Sequence, residues 1–236
     1  MTRLQARNQE PGARAWRILL YVCVVFACGC GSKEEPPAKS AAPAPAARAP
    51  AAAADSRPAI VCFGDSISAG FGLDAGQSFP ELLQKDLDAR GKKYRVVNMG
   101  VSGDTTQDGL ARVAIAVSEK PAIVVLELGG NDGLRGIPIA ITQSNLAQMI
   151  EAFQAAGAKV VLAGMTLPPN YGPQYISQFE KVYRDLAATY KVKLIPFLLE
   201  GVGGHTEFMQ RDGLHPNAQG AKKVETLVMG ALEGMV

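Results

Sequence analysis

The sequence predicts an α/β fold, a three-layer sandwich with a five-stranded parallel sheet between two layers of helices. Three observations predict it. Five short apolar runs lack the alternation of half-buried strands, as expected for parallel strands covered on both faces. Segments with helical spacing separate the runs, which fits right-handed strand–helix–strand crossovers. Residues able to do chemistry gather just after the runs, where the strands of such sheets present their C-terminal ends to ligands.

In chain order, the first run is Ala59–Phe63, followed by Gly64-Asp65-Ser66. FPELLQKDLDA then puts Phe79, Leu82, Leu83 and Leu87 on one helical face. The second run, Tyr94–Met99, leads into NMGVSGDTT, and the third, Ala122–Leu128, into ELGGNDGLRG. ITQSNLAQMIEAFQAAG places Ile141, Leu146, Met149, Ile150 and Phe153 together and ends at Gly157, suited to a left-handed position just past a helix. The fourth run, Lys159–Met165, leads into TLPPNYGP. A helical QYISQFEKVYRDLAATY, the fifth run Lys193–Phe197, a loop carrying DGLHPN and a helical NAQGAKKVETLVMGAL complete the chain.

The first 56 of the 236 residues follow other rules. Arg3, Arg7, Arg14 and Arg17 precede the apolar stretch Ile18–Ala27, and small residues follow, the pattern of a secretory signal. The stretch is too short to span a bilayer comfortably as a helix. VFAC resembles a bacterial lipobox, which implies cleavage and lipidation at Cys28, with Cys30 the alternative and an ordinary soluble signal the other reading. Residues 29–56, rich in Ala and Pro without periodicity, read as a solvated tether. The globular domain is therefore expected over residues 57–236, a length one core can serve. Together these features point to the bacterial cell envelope, with lipid anchoring on the periplasmic side or at the outer membrane; a secreted or soluble periplasmic protein is the alternative.

From residue 58 onward the chain carries 16 Lys and Arg against 18 Asp and Glu, so no basic excess supports nucleic-acid binding. Three of the four cysteines lie at the signal; Cys62, alone in the domain and inside an apolar run, reads as a buried small hydrophobe. FGLDAG lacks the glycine spacing and lysine of phosphate-binding loops, which leaves a nucleotide-binding reading without its fingerprint.

A serine hydroxyl needs an adjacent base to attack at neutral pH. The domain has two histidines. His215 follows Asp212 by three residues, so one turn can set carboxylate beside imidazole, the logic of a Ser66–His215–Asp212 triad. His205 has no such acid and reads as a loop residue. Acyl transfer also requires oxyanion donors: the Ser66 N–H, the Gly103 N–H and the Asn131 amide are candidates. Each has a structural alternative: an N-cap for Ser66 and Asp212, a turn for Gly103, a left-handed cap for Asn131. Asp65, Asp104 and Asp132 are expected to bond loop backbone, and no His/Cys/Asp cluster has metal-ligand spacing.

FGDSIS, GVSGDTT, LELGGNDGLRG and DGLHPN, in that order, resemble the conserved blocks of the SGNH (GDSL-type) hydrolases, closest to the bacterial thioesterase I / lysophospholipase / arylesterase branch. The resemblance runs from about Ile60 to the C-terminus. It implies a flavodoxin-like fold, Ser66 as nucleophile, His215 as base, Asp212 as its partner, and Ser66, Gly103 and Asn131 as the oxyanion hole. LPPNYGPQY resembles that branch's mobile loop near the substrate. Residue 68 is Ser, so the α/β-hydrolase elbow G-x-S-x-G is excluded. The expected function is a serine esterase acting on carboxylic esters or thioesters of acyl chains, lysophospholipids included. It would work as a monomer, with neither metal nor organic cofactor. Leu134, Pro168, Pro169, Tyr171, Phe208 and Met209 are candidate acyl-site residues. The alternatives are a carbohydrate O-acetylesterase acting on envelope polysaccharide and a non-catalytic acyl-lipid binder.

Overall fold

The computed structural model describes residues 55–236. The expected signal, Cys28, Cys30 and the expected tether up to residue 54 lie outside the described residues. Among the described residues five strands form, β1 (Ala59–Gly64), β2 (Arg95–Gly100), β3 (Pro121–Glu127), β4 (Lys159–Ala163) and β5 (Lys193–Ile195). They pair in parallel in the order β2-β1-β3-β4-β5. This is the flavodoxin-like order, and its topological switch point falls between β1 and β3. The loops after those two strands begin with Asp65 and Leu128, so Ser66 and Asn131 stand on either side of that point.

The helices are α1 (Ser66–Ala69), α2 (Phe79–Ala89), α3 (Thr106–Ser118), α4 (Gly130–Leu134), α5 (Ile139–Ala155), α6 (Pro173–Tyr190) and α7 (Ala218–Leu232). Two groups flank the sheet: α3 packs on α5 and α5 on α6, while α2 packs on α7. Every residue of β1 is buried, which explains its unbroken apolar composition. The edge strands differ. β2 is only partly covered and β5 is three residues long, and short edges limit pairing with other chains.

Local signals set the helix ends. The Glu81 carboxylate accepts from the Ser78 N–H and hydroxyl at the start of α2. Thr105 and Asp108 exchange hydrogen bonds at the start of α3, and Asn217 Oδ1 accepts from the Gln219 and Gly220 N–H groups at the start of α7. Gly157, with φ of 83°, takes the left-handed turn after α5.

Three details depart from the sequence reading. Ile141, assigned to the buried face of α5, is 43% exposed. The fifth run stops at Ile195 because Pro196 has no N–H for the ladder. The fourth stops at Ala163, where Gly164 instead donates to Ile195 O and accepts from Leu198 N, bending the chain. Cys62 is buried within β1, as its apolar neighbours suggest.

Candidate active site

β1 delivers the nucleophile candidate. At its end Asp65 caps α1, its Oδ1 accepting the Ile67 N–H at 3.1 Å, and Ser66 becomes the first helical residue. Ser66 is therefore not itself the N-cap, and its N–H, at the helix start, has no intrahelical partner.

From the far end of the chain, the loop before α7 brings His215 alongside. Nε2 of His215 lies 2.8 Å from Ser66 Oγ, and Nδ1 lies 2.7 Å from Asp212 Oδ2. The other carboxylate oxygen, Asp212 Oδ1, accepts the Leu214 and His215 N–H groups at 2.9 and 3.0 Å. This is a local turn, not a helix N-cap, and Gly213 with φ of 69° allows it. Burial pushes the Asp212 carboxyl up. Bonds from the His215 ring and the Leu214 and His215 N–H groups outweigh that and hold it below the usual carboxylate range. Gln210 fixes the loop as a unit: its N–H donates to His215 O, and its side-chain amide donates to Phe71 O and Pro216 O. The Phe71 ring, half exposed, rests on the imidazole with centroids 4.7 Å apart.

The oxyanion candidates come from two further loops. Asn131, in α4, donates from Nδ2 to Asp65 Oδ2 at 3.1 Å and to Asp104 O at 3.0 Å. Both amide hydrogens thus have partners, so donation to a third oxygen requires sharing or releasing one of them. Asn131 is helical, not a left-handed cap; Gly129, with φ of 113°, takes that conformation. Gly103, with φ of 88°, occupies the neighbouring loop, where Arg135 donates to its carbonyl.

Asp65, Asp104 and Asp132 divide. Asp65 and Asp132 accept from backbone at helix starts, not from loop backbone: Asp65 from Ile67 N in α1, Asp132 from Thr106 N in α3 at 2.8 Å. Asp104 instead pairs with Arg112 at 2.7 Å. Sequence reasoning passed over Arg112. Its guanidinium covers the Phe63 ring at 4.0 Å and donates to Gly64 O and Met99 O, tying the ends of β1 and β2 to the Gly103-Asp104 loop. It also passed over Glu127, a lone acid in an otherwise apolar strand, which was a legible signal. Glu127 is fully buried, and its Oε2 accepts from Asp65 N and Ser68 Oγ. Burial pushes the Glu127 carboxyl well above the usual range, reinforced by the adjacent Asp65, and burial likewise raises Asp65.

Beside Ser66 and His215 opens a cavity of about 470 Å³, within the range of small-molecule sites. Leu134, Pro168, Pro169 and Met209 line it as the sequence suggests, together with Ile67, Met165, Leu167, Phe197 and Leu199. Tyr171 and Phe208 do not. The Tyr171 hydroxyl turns to donate to Leu134 O and its ring stacks on Tyr175, while Phe208 packs under the Lys223 ammonium. His205 is a loop residue 3.6 Å from Glu207 and away from Ser66's partners. Among the described residues, no three His, Cys, Asp or Glu side chains come together as a metal site.

Comparison with known proteins shows the family. Residues 62–223 match the model of the GDSL-like lipase/acylhydrolase family. The chain is 56% identical over 158 residues to esterase TesA of Pseudomonas aeruginosa, covering 66% of this chain and 79% of that protein. It is 43% identical over 167 residues to the thioesterase 1/protease 1/lysophospholipase L1 of Escherichia coli, covering 70% and 77%. The structure of a psychrotrophic esterase EstA from Pseudoalteromonas, inhibited by monoethylphosphonate, superposes with a TM-score of 0.72 at 31% identity, over 75% of this chain and 97% of that one.

Proposed function

Because the chain belongs to the GDSL-like lipase/acylhydrolase family, we propose that it is a serine esterase hydrolysing acyl esters or thioesters through an acyl-enzyme, with Ser66, His215 and Asp212 as its catalytic residues. The observation that carries this reading is the unbroken hydrogen-bonded relay from Ser66 Oγ through the imidazole to the Asp212 carboxylate.

Ser66 Oγ attacks the carbonyl carbon as His215 Nε2 takes its proton. Negative charge then develops on the former carbonyl oxygen, for which the Ser66 N–H, the Gly103 N–H and the Asn131 amide are the donors. Asn131 reaches that oxygen by sharing a hydrogen now held by Asp104 O or Asp65. The protonated imidazole passes its proton to the departing oxygen or sulfur, and the C–O or C–S bond breaks. Water attacks the acyl-enzyme with His215 again as base, releasing the acid and restoring Ser66.

The apolar cavity supports an acyl chain longer than acetyl, and the names of the relatives, an esterase and a thioesterase/lysophospholipase, point the same way. Turnover of p-nitrophenyl esters from acetyl to lauroyl, with acyl thioesters and lysophospholipids alongside, tests this. Tolerance of medium chains is expected. A sharp preference for acetyl would favour a carbohydrate O-acetylesterase, and a fluorophosphonate that fails to label Ser66 would favour a non-catalytic binder.

The address is part of the proposal: residues 1–28 as signal, Cys28 as lipid anchor, 29–56 as tether and 57–236 as a monomeric enzyme domain in the bacterial envelope. Mass spectrometry of the mature N-terminus tests it. A diacylglyceryl group on Cys28 is expected, and an unmodified, freely soluble mature form would overturn the anchor.

A further inference from the structure

β3 ends on an acid with no access to solvent, in direct contact with the turn that carries the nucleophile. Glu127 is 0% exposed and the facing Asp65 is 3% exposed. Glu127 Oε2 accepts from the Asp65 N–H at 3.1 Å and from the Ser68 hydroxyl at 2.8 Å. Its other oxygen, Oε1, is buried with no donor facing it among the described residues. The two acids are thus in direct contact through the Asp65 N–H on Glu127 Oε2, and burial pushes both carboxyl groups upward. The remaining titratable groups around them are Cys62, the Tyr183 hydroxyl, Asp132 and, beyond Ser66, His215. Arg112 comes near, but spends its donors on Gly64 O, Met99 O and Asp104.

We propose that Asp65 and Glu127 share one proton, carried by Glu127, and that this buried acid pair is the positioning unit behind Ser66 and Asn131. Two adjacent carboxylates without a cation, both out of water, cannot both stay ionised. The hydrogen bonds say which one keeps the charge. Asp65 oxygens face N–H donors, from Ile67 and Asn131, and these favour its ionised form. Glu127 accepts on one oxygen only, so a proton on Oε1 costs none of its hydrogen bonds and relieves an acceptor that faces no donor. Burial acts in the same sense and is most complete at Glu127. The charged Asp65 then orients the Asn131 amide, and Glu127 pins the Asp65 N–H and Ser68, fixing where the Ser66 turn sits. Glu127 acts through these groups and touches no substrate.

The functional half of this inference rests on the serine-esterase reading; the protonation half does not, and the test separates them. Glu127→Gln is neutral and of the same shape: its carbonyl accepts the same two donors and its NH₂ takes the place of the protonated Oε1. It should keep kcat within about tenfold of wild type. Glu127→Ala, which leaves the turn unpinned, should lose about 10²-fold in kcat with KM little changed, since the misplaced contacts matter in the transition state. The second readout is thermal melting from about pH 5 to about pH 9, above the ordinary glutamate pKa. Wild type keeps on folding a proton that its unfolded chain releases, so its stability falls as pH rises toward the raised native value. Gln has no such proton, so the melting-temperature difference should move steadily in favour of Glu127→Gln with pH. A difference that stays flat or moves the other way overturns the shared proton. A Glu127→Gln loss as deep as that of Glu127→Ala, with the fold intact by circular dichroism, overturns it too. If wild type hydrolyses no ester at all, the esterase reading fails while the melts still decide the protonation state. If Glu127→Ala does not fold, Glu127→Gln and wild type carry both readouts.

Discussion

Replacing Asp212 with Asn tests the relay at the point where its chemistry, more than its shape, is decided. Asn keeps an oxygen able to accept the Leu214 and His215 N–H groups, so the turn that presents His215 should survive. The atom facing Nδ1, however, changes from an acceptor 2.7 Å away to an NH₂ donor. Two donors cannot share that contact, so the ring is driven to the tautomer with its proton on Nε2. Nε2 then donates toward Ser66 Oγ and cannot take its proton. The lost bond is of the charge-assisted kind, about 1.5–3 kcal/mol. The Asp212 side chain is 37% exposed, so solvent screening places the Coulomb support of the protonated ring at the lower end of what buried pairs give. The sum corresponds to a loss of about 10²–10³ in kcat, against roughly 10⁴ for the same change in a deeply buried triad. The assay is steady-state hydrolysis of p-nitrophenyl butyrate across pH, with recovery expected at alkaline pH as hydroxide replaces the base. A kcat within about threefold of wild type at neutral pH would mean that Asp212 only shapes the turn, and the tautomer argument would be refuted.

Ser66→Ala should melt within about 1 kcal/mol of wild type, since only one partly buried hydroxyl is lost, yet show no esterase turnover and no phosphonate labelling. Residual turnover matching wild type would remove Ser66 from the mechanism. Gly64→Ala would drive a methyl group into Glu127 Oε2 and the Ser68 hydroxyl. Overpacking together with a broken buried hydrogen bond predicts a loss of about 2–6 kcal/mol in urea unfolding, and a change under about 0.5 kcal/mol would contradict it. Phe71 covers the imidazole and does not line the acyl cavity, so any contact it makes with substrate falls to the leaving group and not to the acyl chain. Phe71→Ala should therefore raise KM about 2–10-fold for aryl esters but not for methyl esters of the same acid; equal effects on both would refute a leaving-group contact.

The strands were legible because burial on both faces demands continuous apolar runs, a property of consecutive residues. Helix faces and caps are likewise local: Ser78 with Glu81, or Gly157 after α5, can be read within one turn of chain. The pairing of Asp212 with His215 was legible for the same reason, because three residues of separation and one turn suffice to bring the groups together. That four loops carry complementary chemistry could also be read, though only as a coincidence too large to ignore.

What the tertiary structure decided is direction. Tyr171 and Leu134 stood as equals in the sequence; folded, one lines the cavity and the other turns its hydroxyl onto the first one's carbonyl. Gln210 gave no signal, since nothing local to it reveals that its amide will meet Phe71 O, 139 residues away. Arg112 reads as a helix surface residue until strand order puts three acceptors from separate segments within its reach. Glu127 could be seen as an anomaly, but whether it faces solvent, a cation or Asp65 depends on the register of β3 against β1, which pairs Glu127 with Gly64. Side-chain type and local periodicity are written along the chain. Partners supplied by distant segments exist only once the sheet order and register have fixed which loop ends meet.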